Sequence, residues 1–187
     1  MKVAVFGKSG GGKSTFSKKL SLITNTPLLP LDQIEYLDGG EKASEEQYLA
    51  KYNNILNNES WIIEGFGTIE TFRERLKIAD TLIYIDLPMR IHYWRVMKRF
   101  LLSPFVKPEG WPDNSPMIRS TYNSYVHLFK VAPKFWNSSF LTRLENMSEE
   151  KKIYHLTSAK EFNKCIVEIN SKLTKKHNKN EETNNLP

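Results

Sequence analysis

The sequence lacks the features that mark several common classes of protein. Cys165 is its only cysteine, which excludes an internal disulfide and a zinc site built from cysteines. No apolar run approaches the ~20 residues of a membrane-spanning helix, and the N-terminal residues do not have the pattern of a signal peptide. Nothing in the chain matches a helix-turn-helix or another named DNA-binding module. We therefore expect a cytoplasmic protein that does not bind membranes and keeps Cys165 in its core.

The rest of the composition is that of an ordinary globular protein with one unusual segment. The 187 residues, 40% of them hydrophobic and 26% charged, suffice for one α/β domain with a buried core. The net charge of +6 lies in residues 88–136, which hold eight basic and two acidic residues together with 10 of the 22 aromatic residues. Such a segment suits nucleotides, phosphorylated substrates or nucleic acid. Alternatively, it is a pair of amphipathic helices with a solvated basic face.

The most informative motif is the glycine-rich segment Gly7–Ser14. Its sequence, GKSGGGKS, follows an apolar strand, precedes a helix and has the spacing of the phosphate-binding loop of nucleoside triphosphate enzymes. Glycines let backbone N–H groups converge on anionic oxygens, and the helix adds its positive end. Lys13 is expected to reach the β- and γ-phosphates, and the Ser14 hydroxyl to ligate Mg²⁺. The predicted ATP-binding residues of this loop are Gly7, Lys8, Ser9, Gly10, Gly11, Gly12, Lys13, Ser14 and Thr15.

Short apolar strands alternate with helical segments along the chain. The predicted strands cover residues 2–6, 27–30, 61–65, 81–86 and 152–156. The predicted helices cover residues 14–23, 44–56, 68–78, 88–102, 119–131, 137–147 and 159–173, and residues 38–40 form a turn. Buried strands separated by helices predict a parallel sheet covered on both faces, which is a three-layer α/β fold. Residues 1–174 would form one domain, and residues 175–187 a disordered polar tail.

Several polar residues follow predicted strands, where ligands of parallel sheets bind. They are Asp32, Glu64, Asp86 and residues 157–158. The motifs GKSGGGKS, Leu31-Asp32, WIIEG, Asp86-Leu87-Pro88 and RVMKR occur in the order typical of a known group. In this respect the chain resembles the adenylate-kinase-like branch of the P-loop kinases. Within that branch it is most similar, over roughly residues 1–172, to the small bacterial DNA topology modulation proteins.

The resemblance implies a P-loop NTPase fold with a five-stranded parallel sheet and a short helical lid, and ATP, Mg²⁺ and a small-molecule acceptor as ligands. Glu64 stands where the family has an aspartate before glycine that helps hold Mg²⁺ and its waters. The glutamate side chain is one methylene longer than that of aspartate. From the loop motif and this family position, Ser14 and Glu64 are the predicted metal residues. The alternatives are that Glu64 caps the next helix and that Asp86 holds the metal. Asp32 would bind the acceptor hydroxyl or assist the metal, unless it only forms a turn.

Two arginines complete the predicted site. In adenylate-kinase-like proteins, arginines at this spacing start the lid, the first packing on adenine and the second contacting phosphate. Those roles fall to Arg95 and Arg99, which makes Lys13, Asp32, Arg95 and Arg99 the predicted catalytic residues and adds Arg95 to the ATP site. With His92 they share one face of the predicted helix, opposite a core-facing side of Tyr93, Val96, Met97, Phe100 and Leu101. The alternative is an exposed basic face.

The lid and the acceptor side are less completely specified. Residues 103–117 would form the lid, with Gly110 as a hinge and Lys107 and Arg119 adding charge on closure. In adenylate kinases, an arginine a few residues after the acid that corresponds to Glu64 binds the acceptor phosphate, whereas residues 66–68 of this chain contain none. Arg73 can reach inward from the next helix, whereas Arg75 can equally be a surface or ion-pair residue. His127 and His155 are expected to be packed or surface residues.

Three functional hypotheses follow. The first is an ATP- and Mg²⁺-dependent phosphotransferase that acts on a small acceptor, with a nucleotide as one candidate. The second, less favoured, is a nucleic-acid-associated NTPase or regulator that uses residues 88–136 as its binding surface. The third is a nucleotide-binding protein without catalysis, suggested by the glutamate at position 64 and the missing acceptor arginine. The sequence does not specify the oligomeric state.

Overall fold

Five short strands form one all-parallel sheet in the computed structural model, which describes residues 1–37, 41–102, 122 and 124–184. The strands are β1 (Lys2–Gly7), β2 (Leu28–Pro30), β3 (Trp61–Glu64), β4 (Thr81–Ile85) and β5 (Lys152–Leu156). Their order in the sheet is β2-β3-β1-β4-β5. Val3 pairs with Ile62 of β3 on one side and with Thr81 of β4 on the other. The central strand β1 therefore delivers the phosphate loop to the middle of the sheet's carboxyl edge.

Helices connect the strands in the predicted alternation. They are α1 (Lys13–Thr24), α2 (Asp32–Glu35), α3 (Glu45–Leu56), α4 (Ile69–Ile78), α5 (Met89–Leu102), α6 (Ala132–Phe135), α7 (Ser138–Asn146) and α8 (Ala159–Asn184), with a π-helical turn at His127–Val131 and a 3₁₀ turn at Met147–Glu149. The spacing of Ser44 and Gln47 in the sequence predicts a capping box at the start of α3. It is present, because the Ser44 hydroxyl accepts from Gln47 N and the Gln47 side chain accepts from Ser44 N. Thr68 and Thr71 make the same reciprocal pair at the start of α4.

The core has two parts, one on each face of the sheet. Side chains of β1 alternate between them, since Ala4 and Phe6 enter one cluster and Val3 and Val5 the other. The first cluster is rich in aromatic rings, with Phe6, Tyr84 and Trp136 stacked at centroid distances of 5.3–6.0 Å. The second joins α1 and α8 and contains Cys165, which is 3% exposed. The predicted three-layer α/β architecture and the core position of Cys165 are confirmed.

A few sequence expectations differ from the structure or fall outside its described part. Asp32 begins the one-turn helix α2 rather than standing in a loop. The closing helix continues to Asn184, beyond its predicted end at Leu173. The predicted turn at 38–40 and lid at 103–117, with Lys107, Gly110 and Arg119, lie outside the described residues, and so do the side chains of His127 and of residues 175–187. The one-domain division and the disordered tail stay predictions.

The described part of the chain contains no helix that is long and apolar enough to cross a membrane.

Candidate active site

The phosphate loop lies where β1 ends and α1 begins. Gly7 adopts a φ of 142° and pairs with Ile85 so closely that a Cβ atom there would lie 2.2 Å from the Ile85 carbonyl oxygen. Gly12 is the N-cap of α1, and no side chain caps the backbone N–H groups of that helix end. Uncapped N–H groups at a helix start are donors for an anion. The described geometry therefore leaves backbone donors at this end of α1 that could bind an anion.

Helix α5 supports this loop from outside the sheet. The His92 ring donates from Nδ1 to the Ser9 carbonyl oxygen at 2.8 Å, and Arg95 Nη1 donates to the Gly11 carbonyl oxygen at 3.1 Å. His92 is fully buried, and this burial lowers the pKa of its ring. Arg95 Nη1 also lies 3.0 Å from the position a Cβ on Gly12 would take, and the Phe162 ring lies 3.6 Å from the same position. Arg95 and Phe162 thus both lie beside the end of the loop.

The predicted division of α5 into faces is wrong in part. His92 and Val96 are its two fully buried residues, whereas Met97 is 40% and Leu101 64% exposed. The helix buries the side that covers the phosphate loop, because the carbonyl groups of that loop need donors and a histidine supplies one. Apolar periodicity included Val96 correctly, but it assigned Met97 and Leu101 to the core side and His92 to the other side. The structure places Arg95 and Arg99 half-buried rather than on an exposed basic face.

Lys8 does not direct its side chain toward a phosphate. Its ammonium group forms a buried ion pair with the Asp86 carboxylate at the end of β4, and Asp86 Oδ2 also contacts His155 Nε2 at 3.2 Å. Burial by itself would raise the pKa of Asp86, but the hydrogen bonds from Lys8 and His155 bring it below its usual value. The structure thus leaves only the backbone of Lys8 for nucleotide binding. It also commits Asp86 to Lys8, which disfavours Asp86 as the metal residue.

Ser14 and Glu64 meet at the centre of the site. The Ser14 hydroxyl donates to Glu64 Oε2 at 3.2 Å, and the Lys13 ammonium donates to the Lys8 carbonyl oxygen at 3.1 Å. Glu64 is 5% exposed at the end of β3. Burial raises the pKa of its carboxyl group, while the nearby Lys13 charge lowers it. A hydroxyl and a carboxylate in contact beside a phosphate loop are the kind of oxygen donors that Mg²⁺ takes from proteins.

The donor set fits Mg²⁺ bound together with nucleotide rather than a metal bound by protein alone. The described residues contain no group of three or more histidine, cysteine, aspartate or glutamate residues able to hold a metal ion. Mg²⁺ in nucleotide sites takes one or two protein ligands and completes its shell with phosphate oxygens and water. Ser14 and Glu64 match that requirement.

Asp32 and Arg99 belong to the same cluster, because the charge of each affects the pKa of the other. Asp32, at the start of α2, keeps solvent access, while the protein around it raises the pKa of its carboxyl group against the opposing charges of Lys13 and Arg99. Burial lowers the pKa of Arg99, and the carboxylates of Asp32 and Glu64 oppose that change. The structure therefore brings together five of the predicted residues, drawn from the phosphate loop, α2, β3 and α5. They are Lys13, Ser14, Asp32, Glu64 and Arg99.

The two arginines of α4, whose positions the sequence left open, differ in burial. Arg73 is exposed to solvent, whereas Arg75 is fully buried. Arg75 Nη2 donates to the carbonyl oxygens of Gly65 at 2.8 Å and Phe66 at 3.1 Å. Positions 72 and 75 share the inward face of α4, because residues three apart on a helix lie together and Phe72 belongs to the core. That spacing from a core aromatic is the sequence signal that would have identified Arg75 as the inward residue.

Comparisons with known proteins show the fold. No protein-family model matches the chain, and no curated protein is significantly similar to it. The shikimate kinase from Acinetobacter baumannii, solved with shikimate, has a TM-score of 0.52 and 17% identity and covers 93% of each chain. A provisionally named kinase from Chloroflexus aurantiacus has a TM-score of 0.52 and 15% identity, covering 90% of this chain and 96% of its own. The chain therefore shares the three-layer α/β fold of these two structures, and the comparisons give no support to the resemblance to DNA topology modulation proteins.

Proposed function

We propose that the protein is an ATP- and Mg²⁺-dependent phosphotransferase that acts on a small-molecule acceptor. The observation that carries the proposal is the cluster of Lys13, Ser14, Asp32, Glu64 and Arg99 around the open N-terminus of α1. Phosphoryl transfer depends on positioning and charge neutralisation more than on covalent chemistry by the protein. The cluster supplies an anion cradle, two cations and two carboxylates, which are the parts this reaction requires.

ATP would bind with its phosphates on the loop and its base beside Arg95. The backbone N–H groups of the loop and of the first turn of α1 would donate to the phosphates, and Lys13 would donate to the transferred group. The planar guanidinium of Arg95 and the Phe162 ring both lie beside Gly12, where either flat group would offer a surface to an adenine. Lys8 contributes its backbone alone, since its side chain is paired with Asp86.

Ser14 and Glu64 would hold Mg²⁺, either directly or through water. When bound, the ion neutralises phosphate charge and orients the β- and γ-phosphates. Glu64 lies in contact with the Ser14 hydroxyl, so a glutamate at this position reaches the site despite its extra methylene. The Glu64–Ser14 contact supports the metal role over the alternative in which Glu64 caps α4, because Thr68 occupies that N-cap.

Asp32 and Arg99 would act on the reacting groups. Asp32 is solvent-accessible and faces the Lys13 and Arg99 charges, which suits a carboxylate that orients an acceptor hydroxyl and accepts its proton. Arg99 would stabilise the charge that develops on the transferred phosphoryl group. A shikimate kinase of the same fold was solved in complex with shikimate, which supports a small-molecule acceptor here; the acceptor panel described below identifies it.

An acceptor panel tests the proposal. ADP release is measured with ATP and Mg²⁺ against nucleosides, nucleotides, sugars, amino alcohols and hydroxy acids, with the Lys13→Ala variant as the inactive control. A rise in ADP release with one acceptor, and formation of its phosphorylated product, is the expected result. ADP release that is indifferent to every acceptor identifies an NTPase instead. Absence of both ATP binding and ADP release would overturn the proposed site.

A further inference from the structure

The Arg75 guanidinium lies beneath the turn that follows β3. Its side chain is fully excluded from solvent, and Nη2 donates to the carbonyl oxygens of Gly65 and Phe66. The centre of the guanidinium lies 5.5 Å from the centroid of the Phe72 ring. Nε and Nη1 find no hydrogen-bond partner, and the cation no carboxylate in ion-pair contact, among the described residues. Burying a charge in this way is costly, so its place calls for an explanation beyond packing.

Helix geometry explains how Arg75 reaches the turn. Side chains of a helix lean toward its N-terminus, so Arg75 extends back past Thr71 toward the residues before Thr68, the N-cap of α4. The turn itself is tightly constrained, because Gly67 has a φ of 70° and a Cβ there would lie 2.4 Å from the Tyr48 hydroxyl. The carbonyl groups of Gly65 and Phe66 point inward to the guanidinium.

The residue directly before this turn, Glu64, carries the carboxylate that contacts Ser14. The Glu64 carbonyl oxygen accepts from Leu31 N at 2.8 Å, and Gly65 N donates to the Val5 carbonyl oxygen at 3.1 Å. The backbone of β1 and the residue after β2 therefore hold the strand side of this acid. On the other side, the carbonyl groups of the two residues after Glu64, Gly65 and Phe66, accept hydrogen bonds from Arg75.

We propose that Arg75 is a positioning residue that fixes the Glu64 carboxylate for the metal-nucleotide complex, acting through the carbonyl groups of Gly65 and Phe66. The inference rests on the proposed function, since it assigns Glu64 to Mg²⁺. Arg75 is enclosed below the turn and touches no reacting group. Arg75 therefore does not take the place of the arginine that binds the acceptor phosphate in adenylate kinases. Its N–H groups donate to the backbone of the turn after Glu64 instead.

The test compares metal-free and metal-bound nucleotide binding in the full-length chain. Calorimetry gives the Kd for ATP in EDTA, and electron paramagnetic resonance gives the Kd for Mn·ATP, with Mn²⁺ as the probe for Mg²⁺. The variants are Arg75→Lys and Arg75→Met, with Glu64→Gln as the reference for loss of the metal-holding group. Two controls match them: Arg73→Met removes an exposed arginine from the same helix, and Tyr52→Phe removes a buried hydrogen bond to the Thr71 carbonyl oxygen, 2.8 Å long, without touching the turn.

Arg75→Met should raise the Kd for Mn·ATP about 10-fold or more, as loss of a residue that orients a metal ligand does, while the Kd for ATP in EDTA stays within about twofold of wild type. Arg75→Lys should recover part of the loss, because an ammonium can still donate to one carbonyl. Both controls should keep the wild-type ratio of the two constants, even where their melting temperatures fall. Equal weakening of both Kd values, or no change in either, would overturn the inference.

The reference variant separates this inference from the proposed function. If Glu64→Gln loses Mn·ATP affinity selectively and Arg75→Met does not, the inference alone fails. If Glu64→Gln binds Mn·ATP as well as wild type, the metal assignment and the inference fail together. Should Arg75→Met not fold, wild-type protein labelled with ¹⁵N-arginine gives the answer: the Arg75 Nε–H signal should shift with Mg·ATP relative to ATP in EDTA, and an unchanged signal contradicts the coupling.

Discussion

The Lys8 ammonium is paired with the Asp86 carboxylate directly behind the phosphate loop. The pair connects the second residue of the loop to the end of β4, and His155 on β5 joins it through the other carboxylate oxygen. The Lys8 side chain is 9% and the Asp86 side chain 21% exposed. Because the pair is only partly accessible to water, removing either partner would leave the other as a poorly solvated, unpaired charge.

Asp86→Asn should therefore destabilise the protein by about 1–3 kcal/mol, less than the roughly 3–5 kcal/mol for a fully buried pair because the Asp86 side chain is 21% exposed. Urea unfolding followed by circular dichroism measures the change. The matched control is Lys172→Gln, which breaks an exposed i,i+4 pair with Glu168 and should cost about 0.3–0.5 kcal/mol. Equal small effects in the two variants would show that the buried pair adds nothing to stability.

The same pair gives a pH dependence with a defined sign. The folded-state pKa of Asp86 is lower than its usual value because Lys8 and His155 donate to it against the effect of burial. Its contribution is therefore complete above the usual carboxyl range, near pH 4, and is lost as the pH falls toward the folded-state pKa. The free energy of unfolding of wild type should fall in acid more steeply than that of Asp86→Asn. Parallel curves for the two proteins would contradict this.

His92 should produce a second, separate pH effect. Burial lowers the pKa of its ring in the folded state, so the folded protein favours the neutral form that donates to Ser9. Stability should be complete above the ordinary histidine pKa of about 6.5 and decline below it, with a slope of up to about 1.4 kcal/mol per pH unit from this one proton. His92→Asn, which keeps a donor for the Ser9 carbonyl group, should flatten the slope between pH 6.5 and 5. A variant with the wild-type slope would show that His92 does not titrate there.

Lys13→Ala should abolish turnover while leaving the fold intact. Lys13 bonds to the Lys8 carbonyl oxygen in the phosphate loop and is close to the Glu64 and Asp32 charges. Loss of a preorganised donor in a catalytic site lowers the rate by roughly 10²–10³-fold. ADP release and the melting temperature are measured together. Turnover at the wild-type rate would contradict the proposed site. If Lys13→Ala does not fold, the same measurements are made on the milder variant Lys13→Met.

The features that the sequence predicted are those determined by neighbouring residues along the chain. Apolar runs defined the strands, and the Ser44–Gln47 spacing defined the start of α3, because both are local patterns. The glycine-rich loop was also recognised from the sequence, because its glycines and Lys13 all lie in the short segment Gly7–Ser14. The correct order of these elements was enough to predict the layers of the fold.

The features that sequence reasoning missed depend on where backbone carbonyl groups lie in three dimensions. His92 and Arg75 are both buried donors, one for the Ser9 carbonyl and one for those of Gly65 and Phe66. Hydrophobic periodicity assigns polar residues to solvent, so it placed His92 on the wrong face and left Arg75 open between a surface position and an ion pair. Lys8 was missed for a related reason, because its partner Asp86 is distant in sequence and the two meet only after β1 and β4 pair.

The two arginines of α5 should differ in their kinetic effects. Arg95 bonds to the Gly11 carbonyl oxygen of the loop, whereas Arg99 is close enough to Asp32 and Glu64 for their charges to affect its pKa. Arg99→Ala should therefore lower kcat by roughly 10²–10³-fold with little change in ATP affinity. Arg95→Ala should chiefly weaken ATP binding, because it removes a support of the cradle. Steady-state kinetics and calorimetry on both variants measure the split. An Arg99→Ala variant that loses ATP affinity and kcat/KM by the same factor, with kcat unchanged, would assign Arg99 to ground-state binding and leave the transferred phosphoryl group to Lys13 alone.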